Sequence, residues 1–482
     1  MPLHKKDKSH PSVLFATPEC APLVKTGGLG DVSAALPKAL RERDLDVRVL
    51  LPGYSAVLAA DPGARELAKL EVLGQPVRLL ESRLPGEVPL IVLDCPRLYA
   101  RSGGPYQADD GDDWDDNALR FGVLSKVAAI LGSSASPLEW RPEVIHANDW
   151  PAALAPVYLR GMERPRAAAV TTIHNLAFQG LFEMGEIAPL GLPEDVLGTD
   201  GIEFFGRASF LKGGIVFANA VTTVSPTYAR EIQSKELGFG LDGVLGMRRD
   251  TLYGVLNGID TELWNPQTDP NITQNYGVLT LERKLANKRA LKKRFGLEGG
   301  DEIPLLALVS RVTHQKGLDV VAAALAQLAG FPAHVVIVGE GDREMTEQLR
   351  AAQAALPKSV GLHVAFDEAL AHLVEAGADM FLMPSRFEPC GMNQMYSQRY
   401  GTPPIANTTG GLVDTIEDDV TGFLLAGATV EGLVDGVGRA IGAYCDPPRW
   451  RRMQTAGMTR DFGWAPAARA YNLIYERITT TS

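Results

Sequence analysis

PLLALVSRVTHQKGLDVVAAALAQLAGFPAHVVIVG, residues 304–339, reads as strand, helix, strand. PLLALVS (304–310) is a continuous apolar run. An amphipathic stretch follows at about 317–329, and AHVVIVG (333–339) is apolar again. Unbroken Val/Ile/Leu runs, rather than alternating ones, suit parallel strands covered on both faces. The same grammar continues through GLHVAF (361–366), DMFLMPS (379–385) and PPIAN (403–407), with helical stretches between. Upstream it has already occurred once. VLFAT (13–17), VRVLL (47–51), LIVLD (90–94), VIHAN (144–148), AVTTIH (169–174) and VTTVS (221–225) read as buried strands. Helical stretches near 31–43, 116–131, 151–160 and 226–235 intervene.

Two βαβ series in succession give an α/β chain with two doubly wound, Rossmann-like domains. NGIDTELWNPQTDPNITQNYG (257–277) lies between them and is rich in Asn, Pro, Asp and Thr, as an irregular connection is. The expected domains are 11–256 and 257–460. The end, 461–482, carries a helix at about 464–478 that packs back on the first domain. Open α/β sheets bind ligands beyond the carboxyl ends of their strands, so two such sheets are expected to face one deep inter-domain cleft.

Composition narrows the function. The formal charge is −11, which disfavours a nucleic-acid-binding face. An anionic substrate would need a locally basic pocket. Cys20, Cys95, Cys390 and Cys445 show no CxxC spacing and read as reduced thiols. No run of about 20 apolar residues is present, and the polar start MPLHKKDKSH is followed by no apolar h-region. A cytoplasmic protein without a membrane partner is expected.

Four segments could carry chemistry. In KTGGLGDV (25–32), Gly27, Gly28 and Gly30 leave backbone N–H groups open to an anion at a helix start, and Lys25 adds a charge; a plain packing turn is the alternative. In SRVTHQKGLD (310–319), Arg311 and Lys316 sit at the carboxyl end of a strand, where two cations suit a diphosphate; a pair of solvated surface charges before an ordinary helix start is the alternative. In SRFEPCGMNQMYSQRYGTPPIANTTGGLVDT (385–415), Glu388 can accept hydrogen bonds from sugar hydroxyls or stabilise positive charge. Thr408 to Gly411 repeats the glycine-turn-into-helix device, and Cys390 reads as a small packing residue. HANDW (146–150) and TIHNLAFQG (172–180) place His146, Asp149, His174 and Asn175 at strand ends. The acidic run DDGDDWDD (109–116) reads as a solvated loop before a helix, although Asp110–Gly111–Asp112 has the DxD form that holds a divalent ion on a nucleotide. No metal-ligand spacing, GxSxG or Walker A sequence occurs.

Taken in order with DNALRF (116–121), VLNGIDTELWNP (255–266) and TGFLL (421–425), these segments resemble bacterial glycogen synthases and plant starch synthases. Those are retaining glucosyltransferases of the GT-B fold, and the resemblance spans about 11–478. It implies an ADP-glucose donor, a glycogen or α-1,4-glucan acceptor, no cofactor and no metal; it leaves homo-oligomerisation open. It assigns Lys25, Gly27 and Gly28 to the donor-phosphate loop. Arg311 and Lys316 become the diphosphate cations, and Glu388 the donor-sugar carboxylate. Asp149 and His174, the latter through its backbone carbonyl, fall at the catalytic centre with Asp31, Asn175 and Asn257 alongside. Tyr106 falls near the acceptor and glucosyl site. Cys390, Gly391, Thr409, Gly410 and Gly411 fall on the donor side, and Phe366 stands where the family often has a Tyr stacking on the nucleobase. Met392, Asn393 and Tyr396–Ser397–Gln398 depart from the family pattern beside the donor site. A UDP-glucose-dependent transferase of the same fold and a non-catalytic glucan-binding protein are the competing readings.

Overall fold

The computed structural model describes residues 10–328 and 330–480. The chain forms two compact units. One takes the chain as far as Asn257 and again from Trp464, and the other is Gly258–Gly463.

The first unit is built on a nine-stranded sheet. Its order is Leu252–Gly254, Ala220–Thr223, Ala168–Ile173, Val144–Asn148, Val13–Ala16, Val47–Pro52, Val88–Asp94, Gln75–Leu84, Arg65–Val72. The first seven run parallel, Val13 lying beside both Val47 and Val144. The last two add an antiparallel hairpin that the sequence reading did not foresee. In RELAKLEV only the second half, Ala68–Val72, alternates apolar and polar residues, the register shifting between Glu66 and Ala68. Its turn, Leu73–Gly74, has φ of 52° and 69°; a Leu in that left-handed position carries none of the usual Asn-Gly signal. The helix expected at 151–160 is two short ones, Asp149–Ala152 and Ala155–Arg160. Pro156 opens the second, where its missing N–H costs nothing.

The helix Ala465–Thr480 belongs to this first unit and packs on Gly28–Arg41. Ala467, Ala468, Tyr471, Ile474, Tyr475 and Ile478 face the core.

The second unit carries a six-stranded parallel sheet in the order Val360–His363, His334–Val338, Leu305–Val309, Met380–Met383, Pro404–Asn407, Phe423–Leu425. One apolar cluster fills each face, around Leu306, Leu308 and Leu382 on one side and Ala307, Val336 and Phe381 on the other. The boundaries differ by a few residues from the expected 256/257 and 460/461. The reason is local: the Ile259 N–H donates to the Phe462 carbonyl at 2.8 Å, so entry and exit of the second unit are stitched together. Residues 258–277 hold no helix or strand. They are nonetheless fixed, because Trp264 lies stacked between His372 (3.9 Å) and Tyr396 (3.8 Å), and Asp269 accepts from His372 Nδ1 and the Tyr400 hydroxyl.

Candidate active site

Each sheet reverses its winding once, and Lys25, Gly27, Gly28, Asp149, Arg311, Lys316 and Glu388 lie on the loops there. In an open α/β sheet, the loops leaving the two strands at the reversal splay apart and leave a crevice. In the first unit the reversal lies between Val13–Ala16 and Val144–Asn148. The loop after Val13–Ala16 contains Lys25, Gly27 and Gly28; the turn after Val144–Asn148 contains Asp149.

A residue not singled out in the sequence organises the first of these loops. Glu19 is buried, and its Oε2 accepts the N–H groups of Thr26 (2.6 Å) and Gly27 (3.2 Å). Its Oε1 accepts the hydroxyls of Thr26 and Tyr106, both at 2.6 Å. The Gly27 N–H is therefore taken. Gly28 and Leu29, at the start of helix Gly28–Arg41, have no backbone N–H partner among the described residues. Lys25 pairs with Asp31 at 2.7 Å and lies over Gly30, where a Cβ would sit 3.0 Å from its side chain. An incoming anion would thus compete with Asp31 for Lys25.

Tyr106 is held by the segment DNALRF. Asn117 Nδ2 donates to the Tyr106 carbonyl at 2.9 Å, and buried Arg120 donates to the carbonyls of Leu98 and Pro105. Tyr106 packs on Phe121 and Trp150. The acidic run beside it is local scaffolding: Asp116 pairs with Arg101, and Asp110 accepts the Asp112 N–H at 3.1 Å.

Asp149 stands at φ 54°, a left-handed conformation that Asp tolerates better than most residues. Its Oδ1 accepts the His174 N–H at 2.7 Å. Burial pushes its carboxyl up to about 7, against the pull of the His174 and Asn175 N–H groups. His174 Nε2 lies 3.0 Å from Asn148 Oδ1, and burial lowers this imidazole to about 3, so it is neutral. Asn175 Oδ1 accepts the Ala177 N–H at 3.1 Å and shapes the loop. Gly180 closes that loop at φ 61°, where a Cβ would fall 2.5 Å from the Trp150 ring. Asn257 is buried at the end of this unit's main segment. His146 is not part of the site. It is buried in mid-sheet, with Nδ1 2.8 Å from the Tyr475 hydroxyl and Nε2 2.5 Å from Thr172 Oγ1.

In the second unit the sheet reverses between Leu305–Val309 and Met380–Met383. The loop after the former holds Arg311 and Lys316, and the loop after the latter holds Glu388. Lys316 Nζ meets Glu388 Oε2 at 2.5 Å, and Ser385 Oγ donates to the same oxygen at 3.1 Å. Arg386 locks the two loops, making two hydrogen bonds to Asp319 (2.8 and 2.6 Å) and one to the His314 carbonyl (2.7 Å). Arg311 is exposed, and no carboxylate pairs with it among the described residues. Thr409 precedes the helix Gly410–Thr415, whose Gly411 N–H donates to the Glu388 carbonyl at 3.1 Å. A Cβ on Gly410 would lie 1.9 Å from that carbonyl oxygen, and one on Gly411 would lie 2.1 Å from the Cys390 carbonyl. Cys390 is buried, its carbonyl accepting Gln394 Nε2, and Gly391 turns the chain at φ 69°. Phe366 is 75% exposed, a free aromatic face after the strand Val360–His363.

The departures from the family pattern turn inward. Asn393 Nδ2 donates to the Val309 carbonyl at 2.7 Å, Tyr396 stacks on Trp264, and Gln398 Nε2 donates to the Gln394 and Thr415 carbonyls. They brace the second unit behind Glu388.

Residues 12–247 match the family described as starch synthase catalytic domain, and residues 290–453 match glycosyl transferases group 1. The chain is 49% identical to a glycogen synthase of Nitrosomonas europaea, over 97% of this chain and 98% of the relative. It is 51% identical to a glycogen synthase of Aromatoleum aromaticum, over 96% of each. Among solved structures, the catalytic domain of starch synthase IV from Arabidopsis thaliana bound to ADP and acarbose superposes with a TM-score of 0.87 at 30% identity, covering 98% of this chain and 100% of that one. A sucrose-phosphate synthase from Thermosynechococcus elongatus, at TM-score 0.60 and 16% identity, shares the fold alone. With two Rossmann-like units of GT-B type and about half its residues shared with the two glycogen synthases, the chain belongs to the glycogen and starch synthase family of glycosyltransferases.

Proposed function

We propose that the chain transfers glucose, with retention, from ADP-glucose to the non-reducing end of an α-1,4-glucan such as glycogen, releasing ADP in the cytoplasm. The observation that carries this reading is the pair of cations, Arg311 and Lys316, at the winding reversal of the second sheet, with Glu388 on Lys316. Cleaving C1–O in a nucleotide sugar leaves negative charge on the departing diphosphate and oxocarbenium character on the glucose. Fixed cations placed where that negative charge develops lower the barrier. Arg311, having no competing carboxylate among the described residues, is free to take a phosphate, while Lys316 can bridge phosphate and Glu388. The bound ADP and acarbose of the starch synthase neighbour support the nucleotide and the glucan.

The first-unit residues fit the rest of the chemistry. Lys25 and the unengaged Gly28 and Leu29 N–H groups suit a second phosphate contact. His174, held neutral, adds no positive charge beside an electron-poor glucosyl carbon, and Asp149, when ionised, stabilises that carbon. The acceptor 4-hydroxyl oxygen forms the new bond to C1 as the bond from C1 to the diphosphate oxygen breaks, and its proton passes to that departing oxygen, leaving as part of ADP. Phe366 offers a stacking face for the base.

Glucose transfer to glycogen from ADP-glucose and from UDP-glucose, each with and without EDTA, tests the reading. Transfer at least tenfold faster from ADP-glucose, unchanged by EDTA, is expected. Preference for UDP-glucose overturns the donor assignment. Loss in EDTA restored by Mg²⁺ or Mn²⁺ overturns the assignment of phosphate charge to Lys25, Arg311 and Lys316.

A further inference from the structure

We infer that Glu19 is a positioning residue of the transfer site, its carboxylate tying the glycine loop to the Tyr106 loop so that both present to substrate in one fixed register. This rests on the functional reading above and assigns a role to a side chain outside it. Four donors converge on one buried carboxylate: the N–H groups of Thr26 and Gly27, the Thr26 hydroxyl and the Tyr106 hydroxyl, at 2.6 to 3.2 Å. Each oxygen takes two, which fills most of what a carboxylate can accept.

The arrangement has a direction. By consuming the N–H groups of Thr26 and Gly27, Glu19 turns the loop so that the next two N–H groups, on Gly28 and Leu29, remain unengaged among the described residues. By holding the Tyr106 hydroxyl, it places a ring 87 residues away in sequence against the same loop. The backbone carrying Glu19 is pinned independently. Cys20 and Val24 exchange backbone hydrogen bonds, the Ala21 N–H donates to the Gly30 carbonyl, and Thr17 Oγ1 donates to the Glu19 carbonyl. The carboxylate is therefore the adjustable link and its backbone the fixed post. A carboxamide there keeps the shape but puts an NH₂ in place of one oxygen, turning two acceptor sites towards donors.

The test is a double-mutant cycle of Glu19→Gln and Tyr106→Phe, read as kcat and KM for ADP-glucose together with Tm. Glu19→Gln is expected to lower kcat/KM by about 30-fold or more while lowering Tm by only a few degrees, the fold being retained. Tyr106→Phe is expected to cost much less in the Glu19→Gln background than in wild type, because the link is already broken. Glu19→Asp, which keeps the charge, should recover part of the loss. Kinetic constants of Glu19→Gln within twofold of wild type, or equal Tyr106→Phe penalties in both backgrounds, overturn the inference. Amide hydrogen exchange covers the case in which Glu19→Gln does not fold or wild type does not use ADP-glucose, the latter outcome being a failure of the functional reading alone. In Tyr106→Phe, the Thr26 and Gly27 amides should exchange at least several-fold faster than in wild type; unchanged exchange overturns the link between the loops.

Discussion

Burial pushes the Asp149 carboxyl up to about 7 from an ordinary 3.8, so between those values the folded chain holds a proton that the unfolded chain has released. The contribution of Asp149 to stability therefore falls as pH rises from about 4 to 7, and the full cost persists above. Asp149→Asn keeps an acceptor for the His174 N–H and tolerates φ 54°. We expect it to raise Tm by a few degrees at pH 8, to gain nothing at pH 4, and to lower kcat at least 100-fold. A drop in Tm at pH 8 would contradict this account of the carboxylate. In wild type, kcat/KM should climb through pH 7 as Asp149 ionises. Arg311→Ala and Lys316→Ala each remove one charge-assisted contact to the departing diphosphate. A cost of about 2–4 kcal/mol, roughly 30- to 1000-fold in kcat, is expected with an unchanged circular dichroism spectrum. Near-normal turnover in both would remove the diphosphate from this sheet end.

Among the elements, the turn into Gly410–Thr415 sets Glu388. Because a Cβ at Gly410 would sit 1.9 Å from the Glu388 carbonyl oxygen, Gly410→Ala should displace the backbone that carries Glu388. We expect a loss of about 1–3 kcal/mol in stability and a kcat at least 100-fold lower. Gly427→Ala, where the new methyl meets nothing within 4 Å, should change neither, and the pair of Tm and kcat values checks both. The buried inner strands of both sheets were legible because they are continuous apolar runs, whereas the three-residue edge strands Leu252–Gly254 and Phe423–Leu425 are too short to show such a run. Hairpin Arg65–Val72/Gln75–Leu84 was not legible, since its turn uses Leu73 where sequence signals rely on Asn or Asp. The cations and Glu388 were legible as charged residues just past apolar runs. Glu19 sits in an equally plain position, but its meaning depends on Tyr106, a partner that no local pattern identifies. His146 was misleading for the converse reason: its partner, Tyr475, lies 329 residues away and fills the place a ligand might have taken.

At the scale of the molecule, His146 and Tyr475 join the middle of the first sheet to the helix Ala465–Thr480. Tyr475→Phe leaves a buried imidazole nitrogen without its partner, at a cost of about 1–3 kcal/mol. Stability should fall accordingly while kcat and KM stay as in wild type; a large fall in kcat at constant KM would restore His146 to the chemistry. Acid adds to this. Burial holds His146 at about 3 in the folded chain against an ordinary 6.5. The unfolded chain therefore binds the proton first, and stability falls as pH drops from about 6.5 towards 3. One proton of difference gives a slope of about 1.4 kcal/mol per pH unit; His174 adds a like slope and Asp149 an opposite one, so the His146 share is read as the difference in the pH dependence of Tm between wild type and His146→Asn.

Because the second unit interrupts the first, synthesis and folding run in opposite orders. A ribosome finishes all of Gly258–Gly463 before it makes the helix that covers the first sheet. The earlier-made half must wait with an uncovered apolar face, while the later-made half, contiguous in sequence, can fold as soon as it emerges. Pausing or truncation within the second unit would therefore leave the nascent first unit dependent on chaperones, and a helix Ala465–Thr480 supplied as a separate peptide should be able to complete it.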